Sequence, residues 1–479
     1  MKRSFFLSFF LCVSVFIAFP KPALAVTSSQ LVPVSFYSRA FQSIYTSSGS
    51  GDIGGTSSVM FRAAYATCSI RVMYQNAWTG GSTTSLSPIT LTSAIQTTPD
   101  SGAPVQLKFG GSTSAIVLQP GTTVYSDLYT VPGCLTANQF FIIRTFVTVP
   151  SGGSFPRDTL AGYGGFEISG YTGTAGSNYV QNATQTPANA NGSNQLLTSG
   201  ATTAWSSDNG AGGGSGLGMF GPIAVVGYTT ATAPLPVVAL VGDSIMTGAT
   251  ESLDYEGGAA VRGMVSDGFT WYMVAHYGET LNGVYTGAAY GPRLQQVQQA
   301  TVIIDEYGTN DLNGGVTAAT LESQSLLFWA LLGAKGIPII PVTLIPRVTP
   351  GCPASSQTVN SHLAAYESYN AWLRAPSSAG AGLSATFDAA AIGVTIPTII
   401  DPASYVESDS ANDVPGGPAA PLTSGYNWCG NNNATSYSQD GTHPNTAGAL
   451  LEKPAFTSTA LINIINGTKP VIGGYYFLY

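Results

Sequence analysis

Charged side chains are scarce in this sequence. Asp, Glu, Lys and Arg make up only 8% of its 479 residues, whereas 57 residues are glycine. The surface must therefore be covered largely by Ser, Thr, Asn, Gln and Gly, which is more typical of β-rich extracellular proteins than of cytosolic enzymes. The hydrophobic content of 44% still allows a sizeable core, and the length predicts two domains.

Basic residues are the scarcer of the two charge signs, and three of them lie in the first 25 residues. Lys2 and Arg3 precede an apolar run over 5–19, and Ala23-Leu24-Ala25 follows; this pattern predicts a secretory signal over 1–25. A membrane anchor is the alternative, but the run is short for a span. Cleavage would lower the basic count from 16 to 13 against 24 acidic residues, a net charge of −11. We expect a secreted or periplasmic protein with no stable membrane span and no nucleic-acid partner.

Cysteine is also rare. Cys12 lies in the predicted signal, which leaves Cys68, Cys134, Cys352 and Cys429 and three possible pairings. If the two halves fold separately, the pairs are Cys68–Cys134 and Cys352–Cys429. The absence of any Cys-x-x-Cys argues against a zinc ribbon.

The first half of the mature chain, residues 26–232, alternates short β-rich runs with Gly, Ser, Thr and Pro clusters. This pattern predicts an all-β sandwich of the jelly-roll kind, with 140–149 as a central strand. Residues 153–233 are the least informative. A flexible linker is one interpretation, but their scattered aromatic residues favour an ordered, loop-rich segment.

The second half, residues 233–479, alternates strands and helices. The pattern predicts strands over 237–241, 302–306, 337–345 and 384–388, and helices over 317–335 and 359–374, the first of them capped by Thr317. Such alternation is typical of a parallel sheet with helices on both faces.

Three polar motifs fall where this sheet would present them. Gly242-Asp243-Ser244 follows the first buried strand, Gly308-Thr309-Asn310-Asp311 follows the next, and Asp440-Gly441-Thr442-His443-Pro444-Asn445 lies near the C-terminus. The glycine would let the chain turn sharply and leave Ser244 exposed at the carboxyl edge of the sheet. If a helix begins there, the Ser244 N–H would face the group that its hydroxyl attacks.

A serine nucleophile needs a base, and the base needs a group that orients it. The chain has three histidines. His276 and His362 read as packing or surface residues, whereas His443 has Asp440 three residues before it in a loop that can turn the carboxylate onto the imidazole. The alternative is a turn in which Asp440 binds only backbone N–H groups. The neighbouring carboxylates Asp305 and Glu306 are poor candidates for a glycosidase pair, because adjacent strand residues face opposite sides.

The three motifs together resemble the SGNH, or GDSL-type, hydrolase family. Residues 104–152, which include Gln106-Leu107-Lys108-Phe109-Gly110-Gly111 and Ser126-Asp127, resemble the N-terminal β-module of some secreted members. The resemblance implies a three-layer α/β catalytic domain, Ser244 as nucleophile, His443 as base and Asp440 as its orienting group, without a metal or organic cofactor. It also implies an oxyanion hole formed by Ser244, Asn310 and a glycine between their motifs. Gly287 fits this position best, and Gly283 is the rival.

The resemblance implies hydrolysis of carboxylic esters. Export and the uncharged polar composition favour a carbohydrate ester such as an acetylated polysaccharide, with Tyr290, Tyr426 and Trp428 as candidates to stack on sugars. Lipid esters are the nearest alternative. Two other hypotheses remain: a non-catalytic surface-binding protein that uses the β-sandwich, and an acyltransferase that uses the same triad.

Overall fold

The structure is a computed structural model. The part of the chain that it describes is 31–36, 43–46, 53–78, 85–98, 102–157, 181–183, 196–197, 206–207, 220–229, 236–249, 258–267, 269–286, 290–345, 347–348, 361–375, 384–406, 429–430 and 435–467. The predicted signal over 1–25, most of 153–233 and the pairing of Cys352 with Cys429 lie outside it. The domain boundary near residue 232 stays a prediction.

The described residues up to 229 form strands. Their bounds are β1 Leu31–Phe36, β2 Ser43–Thr46, β3 Ile53–Arg62, β4 Thr67–Gln75, β5 Ile89–Gln96, β6 Val105–Gln106, β7 Ile116–Leu118, β8 Thr123–Tyr125, β9 Tyr129–Leu135, β10 Phe140–Val149, β11 Ser154–Arg157, β12 Gln181–Ala183, β13 Ser206–Ser207 and β14 Ala224–Thr229.

These strands form antiparallel sheets. One has the order β1-β14-β4-β8, with β9 also on β4; another has the order β13-β12-β3-β10-β5-β6, with β7 also on β5; β2 pairs with β11. The long apolar strand β10 lies between β3 and β5, as its β-branched and aromatic residues predict. Tyr74 of the first large sheet shares hydrogen bonds with Ser93 (2.6 Å) and Thr145 (2.8 Å) of the second. The two sheets therefore meet through a buried polar contact.

A disulfide and an aromatic contact also stabilise the β-rich half. Cys68 and Cys134 form the predicted disulfide. Phe220, near the end of the uninformative segment, is 1% exposed and stacks against Tyr74. At least this end of the segment is ordered structure that completes the β-rich half.

The described residues from 236 onward alternate strands and helices. Their bounds are β15 Val237–Val241, α1 Gly258–Ser266, β16 Thr270–Met273, α2 Leu281–Thr286, α3 Tyr290–Val297, β17 Val302–Asp305, α4 Thr309–Asn313, α5 Ala318–Leu332, β18 Ile339–Pro341, α6 Leu363–Arg374, α7 Ser384–Ala391, α8 Ala403–Val406, β19 Cys429–Gly430, β20 Thr435–Ser436, α9 Thr446–Phe456 and α10 Thr459–Gly467.

A parallel sheet with the order β16-β15-β17-β18 confirms the predicted parallel sheet of the second half, although β16 was not among the predicted strands. Its register aligns Val241 at the end of β15 with Asp305 at the end of β17. Because parallel strands end at the same edge, the segments that follow both strands meet there. This alignment brings the Ser244 and Asn310 motifs together.

The predicted helix after Thr317 is confirmed as α5. The Thr317 side chain accepts a hydrogen bond from the Thr320 N–H, and Gly336 beyond the helix has a φ of 75°. The predicted strand over 337–345 is shorter, since only Ile339–Pro341 pairs with β17. The predicted strand over 384–388 is wrong: these residues lie in α7, where Ala385 and Ala389, four residues apart, are buried.

The β-rich half contacts the α/β half through polar side chains. Gln75 Nε2 donates to the carbonyl of Pro292 (3.0 Å), Gln296 Nε2 donates to Gln75 Oε1 (2.5 Å), and Thr123 Oγ1 donates to Gln295 Oε1 (2.8 Å). Gln75 is fully buried, so these bonds satisfy polar atoms that have left water. Among the described residues, the helices are too short or too polar to cross a membrane.

Candidate active site

Ser244 lies on a turn that follows β15. We call residues 242–249 the Ser244 turn. Backbone hydrogen bonds from Thr247 to Asp243 (3.2 Å) and from Ala249 to Ser244 (3.0 Å) close it. Residues 243–249 form successive turns, and a regular helix does not begin at Ser244. Ser244 is also only 7% exposed, so the hydroxyl is less open to solvent than the sequence predicts.

Gly242 is required by close packing. A Cβ at this position would lie 2.8 Å from the Met246 Cβ and 3.0 Å from Glu306 Oε2. Its φ is not in the left-handed region, so the absence of a side chain, and not an unusual backbone angle, is what the turn requires here. The glycine instead lets the turn fold back against itself and against the next strand.

His443 connects Ser244 and Asp440. Its Nε2 lies 2.7 Å from Ser244 Oγ across 199 residues of chain, and its Nδ1 lies 2.5 Å from Asp440 Oδ2. The loop that carries His443 is anchored where Val348 N–H donates to the Gly441 carbonyl (2.8 Å) and where Asn445 caps α9. The structure therefore brings together the three residues that the sequence analysis selected as nucleophile, base and orienting group.

Asp440 performs both tasks that the sequence left as alternatives. Its Oδ1 accepts the backbone N–H groups of Thr442 (2.9 Å) and His443 (2.8 Å), while Oδ2 faces the imidazole. Partial burial alone would raise the pKa of the carboxyl, but the hydrogen bonds from His443 and Thr442 outweigh it and lower the pKa to about 2. The Asp440 side chain is therefore an anion beside the imidazole at neutral pH.

Asn310 lies at the start of α4, one strand away from Ser244. Its Nδ2 donates to Asp243 Oδ2 (3.1 Å) and to the Glu279 carbonyl (3.0 Å). Gly308, which begins this segment, has a φ of 138°, and a Cβ there would lie 2.9 Å from Leu321. The glycine thus permits the bend that places Asn310 beside the Ser244 turn.

The structure describes some of the predicted oxyanion donors and leaves one outside the described residues. The Ser244 N–H has no hydrogen-bond partner among the described residues. Gly283 N–H donates to Oγ1 of Thr280 (3.2 Å), the residue before α2, so this donor is already engaged. Gly287 lies outside the described residues. The structure therefore does not support Gly283 as the third oxyanion donor.

The other two histidines take no part in this arrangement. His276 forms an edge-to-face ring contact with Trp78, and His362 lies at the position before α6. Both positions agree with the packing and surface roles that the sequence predicts.

Sequence reasoning assigned no role to several buried acidic residues around the Ser244 turn. Asp243 Oδ1 accepts the Ile245 N–H (2.9 Å), and Glu306 Oε2 accepts the Met246 N–H (3.1 Å), so the turn is held by a carboxylate on each side of Ser244. Glu279 accepts hydrogen bonds from Arg293 (2.6 Å) and Tyr307 (2.7 Å) beneath the Asn310 contact. The only sequence signal was their placement next to the motifs.

Burial strongly affects the acidity of these groups. Burial raises the pKa of Asp243 to about 7, although the Ile245 N–H opposes the shift. Burial likewise raises the pKa of Asp305 to about 7 against the hydrogen bond from Trp329. Among the described residues, no group of three or more His, Cys, Asp or Glu side chains is arranged to hold a metal ion.

Comparison with protein-family models found no match, and comparison with curated proteins found none either. Among solved structures, the chain is similar to a family two carbohydrate esterase from Clostridium thermocellum, solved in complex with cellohexaose (12% identity, 89% of this chain and 97% of that chain covered, TM-score 0.31). It is also similar to a carbohydrate esterase family 2 enzyme with a carbohydrate-binding domain from Corynascus thermopiles (Myceliophthora fergusii) (12%, 91% and 98%, 0.31). A third similar structure is a member of the lipolytic protein G-D-S-L family from Veillonella parvula (15%, 46% and 94%, 0.29).

Proposed function

We propose that this chain is a serine hydrolase of the SGNH type that cleaves carboxylic esters through Ser244, His443 and Asp440. The observation that carries the proposal is the bridging position of His443, with Nε2 2.7 Å from Ser244 Oγ and Nδ1 2.5 Å from Asp440 Oδ2. A base must lie within hydrogen-bond reach of the hydroxyl whose proton it takes, and this one does.

The reaction follows from that geometry. Ser244 Oγ attacks the acyl carbon while His443 Nε2 takes the hydroxyl proton, and the anionic Asp440 stabilises the imidazolium that forms. His443 then gives the proton to the departing alcohol, which leaves an acyl ester on Ser244. A water molecule, deprotonated by His443, attacks this ester and releases the carboxylic acid and the free serine.

The negative charge on the carbonyl oxygen needs donors that are already in place. The Ser244 N–H is one such donor, and the Asn310 amide is the second. Because Asn310 Nδ2 donates to Asp243 and the Glu279 carbonyl, one of these bonds must lengthen when the amide turns to the oxyanion. Gly287 remains our proposal for the third donor.

For the substrate we propose a carbohydrate ester, with acetylated polysaccharide as the preferred class and lipid esters as the alternative. Two features of the sequence support an extracellular polymer as the target: the predicted secretory signal and the uncharged polar composition. We further propose that the β-rich half is a jelly-roll-like sandwich that accompanies the catalytic half outside the cell.

The test is hydrolysis of a short-chain nitrophenyl ester by purified protein. Ser244→Ala and His443→Ala should each lose nearly all turnover, because triad members act as a unit. The matched controls are Ser323→Ala on the outer side of α5 and His362→Ala before α6, which should keep wild-type rates. Full turnover in both triad variants would reject the proposal.

The substrate class is tested with the same preparation. Release of acetate from acetylated polysaccharide is compared with release of fatty acid from emulsified lipid esters. Faster turnover of the lipid esters would replace the carbohydrate assignment and leave the triad assignment standing.

A further inference from the structure

Glu306 and Glu452 face a small cavity beneath the Ser244 turn. The cavity has a volume of about 20 Å³, and every residue that lines it is buried. Its wall includes Ile245 and Met246 from the turn and Thr343 from the far side. A volume of at least about 10–15 Å³ accommodates one water molecule.

Each glutamate leaves one oxygen unsatisfied there. Glu306 and Glu452 are both 3% exposed, and Oε1 of each lacks a hydrogen-bond partner. The other oxygen of Glu306 is engaged, since Oε2 accepts the Met246 N–H. An unpaired buried carboxylate is costly, whereas a buried carboxylic acid needs only an acceptor for its proton.

The charged groups around the two glutamates do not neutralise them. Glu306 is close to the carboxyls of Asp243 on the Ser244 turn and Asp305 on β17, which act in the same direction as Glu452. Lys453, the neighbour of Glu452 on α9, instead acts on Asp267 at the end of α1.

The polar groups on the far side of the cavity form hydrogen bonds with one another. Thr343 Oγ1 donates to Asp401 (2.7 Å), which is bound by Arg374 (2.6 Å). Burial raises the pKa of Glu452, and burial together with the neighbouring acidic groups raises the pKa of Glu306.

We propose that Glu306 and Glu452 form a buried acid pair, in which the protonated Glu452 carboxyl donates to Glu306 Oε1 directly or through one water in the cavity. Glu306 holds the backbone two residues after Ser244, and Glu452 lies on α9, the helix that directly follows the His443 loop. The pair thus ties the serine-bearing turn to the histidine-bearing end of the chain. Both glutamates are positioning residues, and this role rests on the function proposed above.

Infrared spectroscopy tests the proton without any need for turnover. The difference spectrum between wild type and Glu452→Gln at neutral pH should contain the carbonyl band of one protonated carboxyl. Glu367→Gln, at a half-exposed glutamate on α6, should give no such band. A difference spectrum that shows only carboxylate bands would mean that Glu452 is ionised, and would overturn the proposal.

The pH dependence of unfolding provides a second measurement. An unfolded glutamate ionises near pH 4.3, whereas the buried one stays protonated, so rising pH favours the unfolded chain by up to about tenfold in its equilibrium constant per pH unit. Wild type should therefore lose stability relative to Glu452→Gln as the pH rises above about 5. Parallel curves for the two proteins would contradict the acid pair.

Activity then tests the positioning role. Glu452→Met removes the donor and should lower ester turnover about tenfold, as expected when one buried hydrogen bond that aligns the site is lost. Glu452→Gln restores a donor and should recover most of that loss. Equal turnover in the two variants would show that the hydrogen bond does not position the turn, and a failed Ser244→Ala test would leave the infrared result unaffected.

Discussion

Asn310 Nδ2 lies 3.1 Å from Oδ2 of Asp243, the residue before the serine. The bond joins the ends of two parallel strands whose last residues, Val241 and Asp305, are in register. The strand register thereby fixes the distance between the serine turn and Asn310, the residue that we propose as the second oxyanion donor.

Asn310→Ala should lower kcat about 10²- to 10³-fold with little change in KM, because one oxyanion donor stabilises mainly the transition state. Steady-state hydrolysis of a short-chain nitrophenyl ester measures this split. Asn313→Ala, at an exposed position of the same helix, is the matched control and should leave both constants unchanged. A rise in KM alone would show that Asn310 binds the ground state instead.

Asp440→Asn should lower kcat about 10²- to 10⁴-fold while the fold stays intact, because the amide no longer fixes the imidazole tautomer. Asp127→Asn, where the carboxylate binds the backbone N–H groups of Gly110 and Gly111, is a control in the β-rich half.

The pH dependence of Asp440 has a defined sign. Its folded pKa of about 2 lies below the unfolded value. Its stabilising contribution is therefore complete above about pH 4 and is lost as the pH falls through 2. If Asp440→Asn shows a marked loss of circular dichroism at pH 7, its lower kcat results from unfolding. That outcome would contradict the role of Asp440 in orienting His443.

Gly242→Ala should destabilise the protein by about 1–3 kcal/mol, the usual cost of overpacking, since its Cβ would lie 2.8 Å from the Met246 Cβ. Turnover should fall as well, because the turn that carries Ser244 must shift. Gly291→Ala in α3, where no atom lies within 4 Å of the new Cβ, is the matched control. Thermal unfolding and ester hydrolysis are measured for both variants. Equal melting temperatures for Gly242→Ala and Gly291→Ala would refute the packing argument.

Asp305→Asn should change the pH dependence of stability. Trp329 Nε1 donates to Asp305 Oδ2 (2.6 Å), and burial raises the pKa of this carboxyl to about 7. The unfolded chain ionises near pH 3.9, so wild type loses stability as the pH rises from about 4 to 7, by up to about 4 kcal/mol for one carboxyl. The variant should lack this component in denaturant titrations.

A matched control exists for that experiment. Asp388 also accepts a tryptophan Nε1, from Trp372 at 2.9 Å, but it is only half-buried on α7. Asp388→Asn should keep the wild-type pH dependence. An equal change in both variants would mean that the tryptophan bond, and not burial, governs the titration.

Sequence patterns predicted the helices and strands whose start and end are marked by neighbouring residues. Thr317 marks the start of α5, and Gly336 ends the 3₁₀ turn Gly333–Lys335 that follows it, because capping uses residues next to the helix ends. The predicted strand over 384–388 failed because a short apolar run fits a buried helix face as well as a strand, and contact with neighbouring elements decides between them. The close contact of Gly242 with Glu306 could not be predicted locally, because Glu306 directly follows another strand, β17.

The sequence by itself determined which residues are candidates for the chemistry, because serine, histidine, aspartate and asparagine occur in short motifs whose spacing is local. It also predicted the strands that precede the serine and asparagine motifs and the helix after Thr317, but it placed a strand where α7 lies. Only the tertiary structure decided that Nε2 of His443 reaches Ser244 and that two glutamates face one cavity behind the turn. Distances between residues far apart in the chain follow from sheet register and helix packing, and no local pattern encodes either of them.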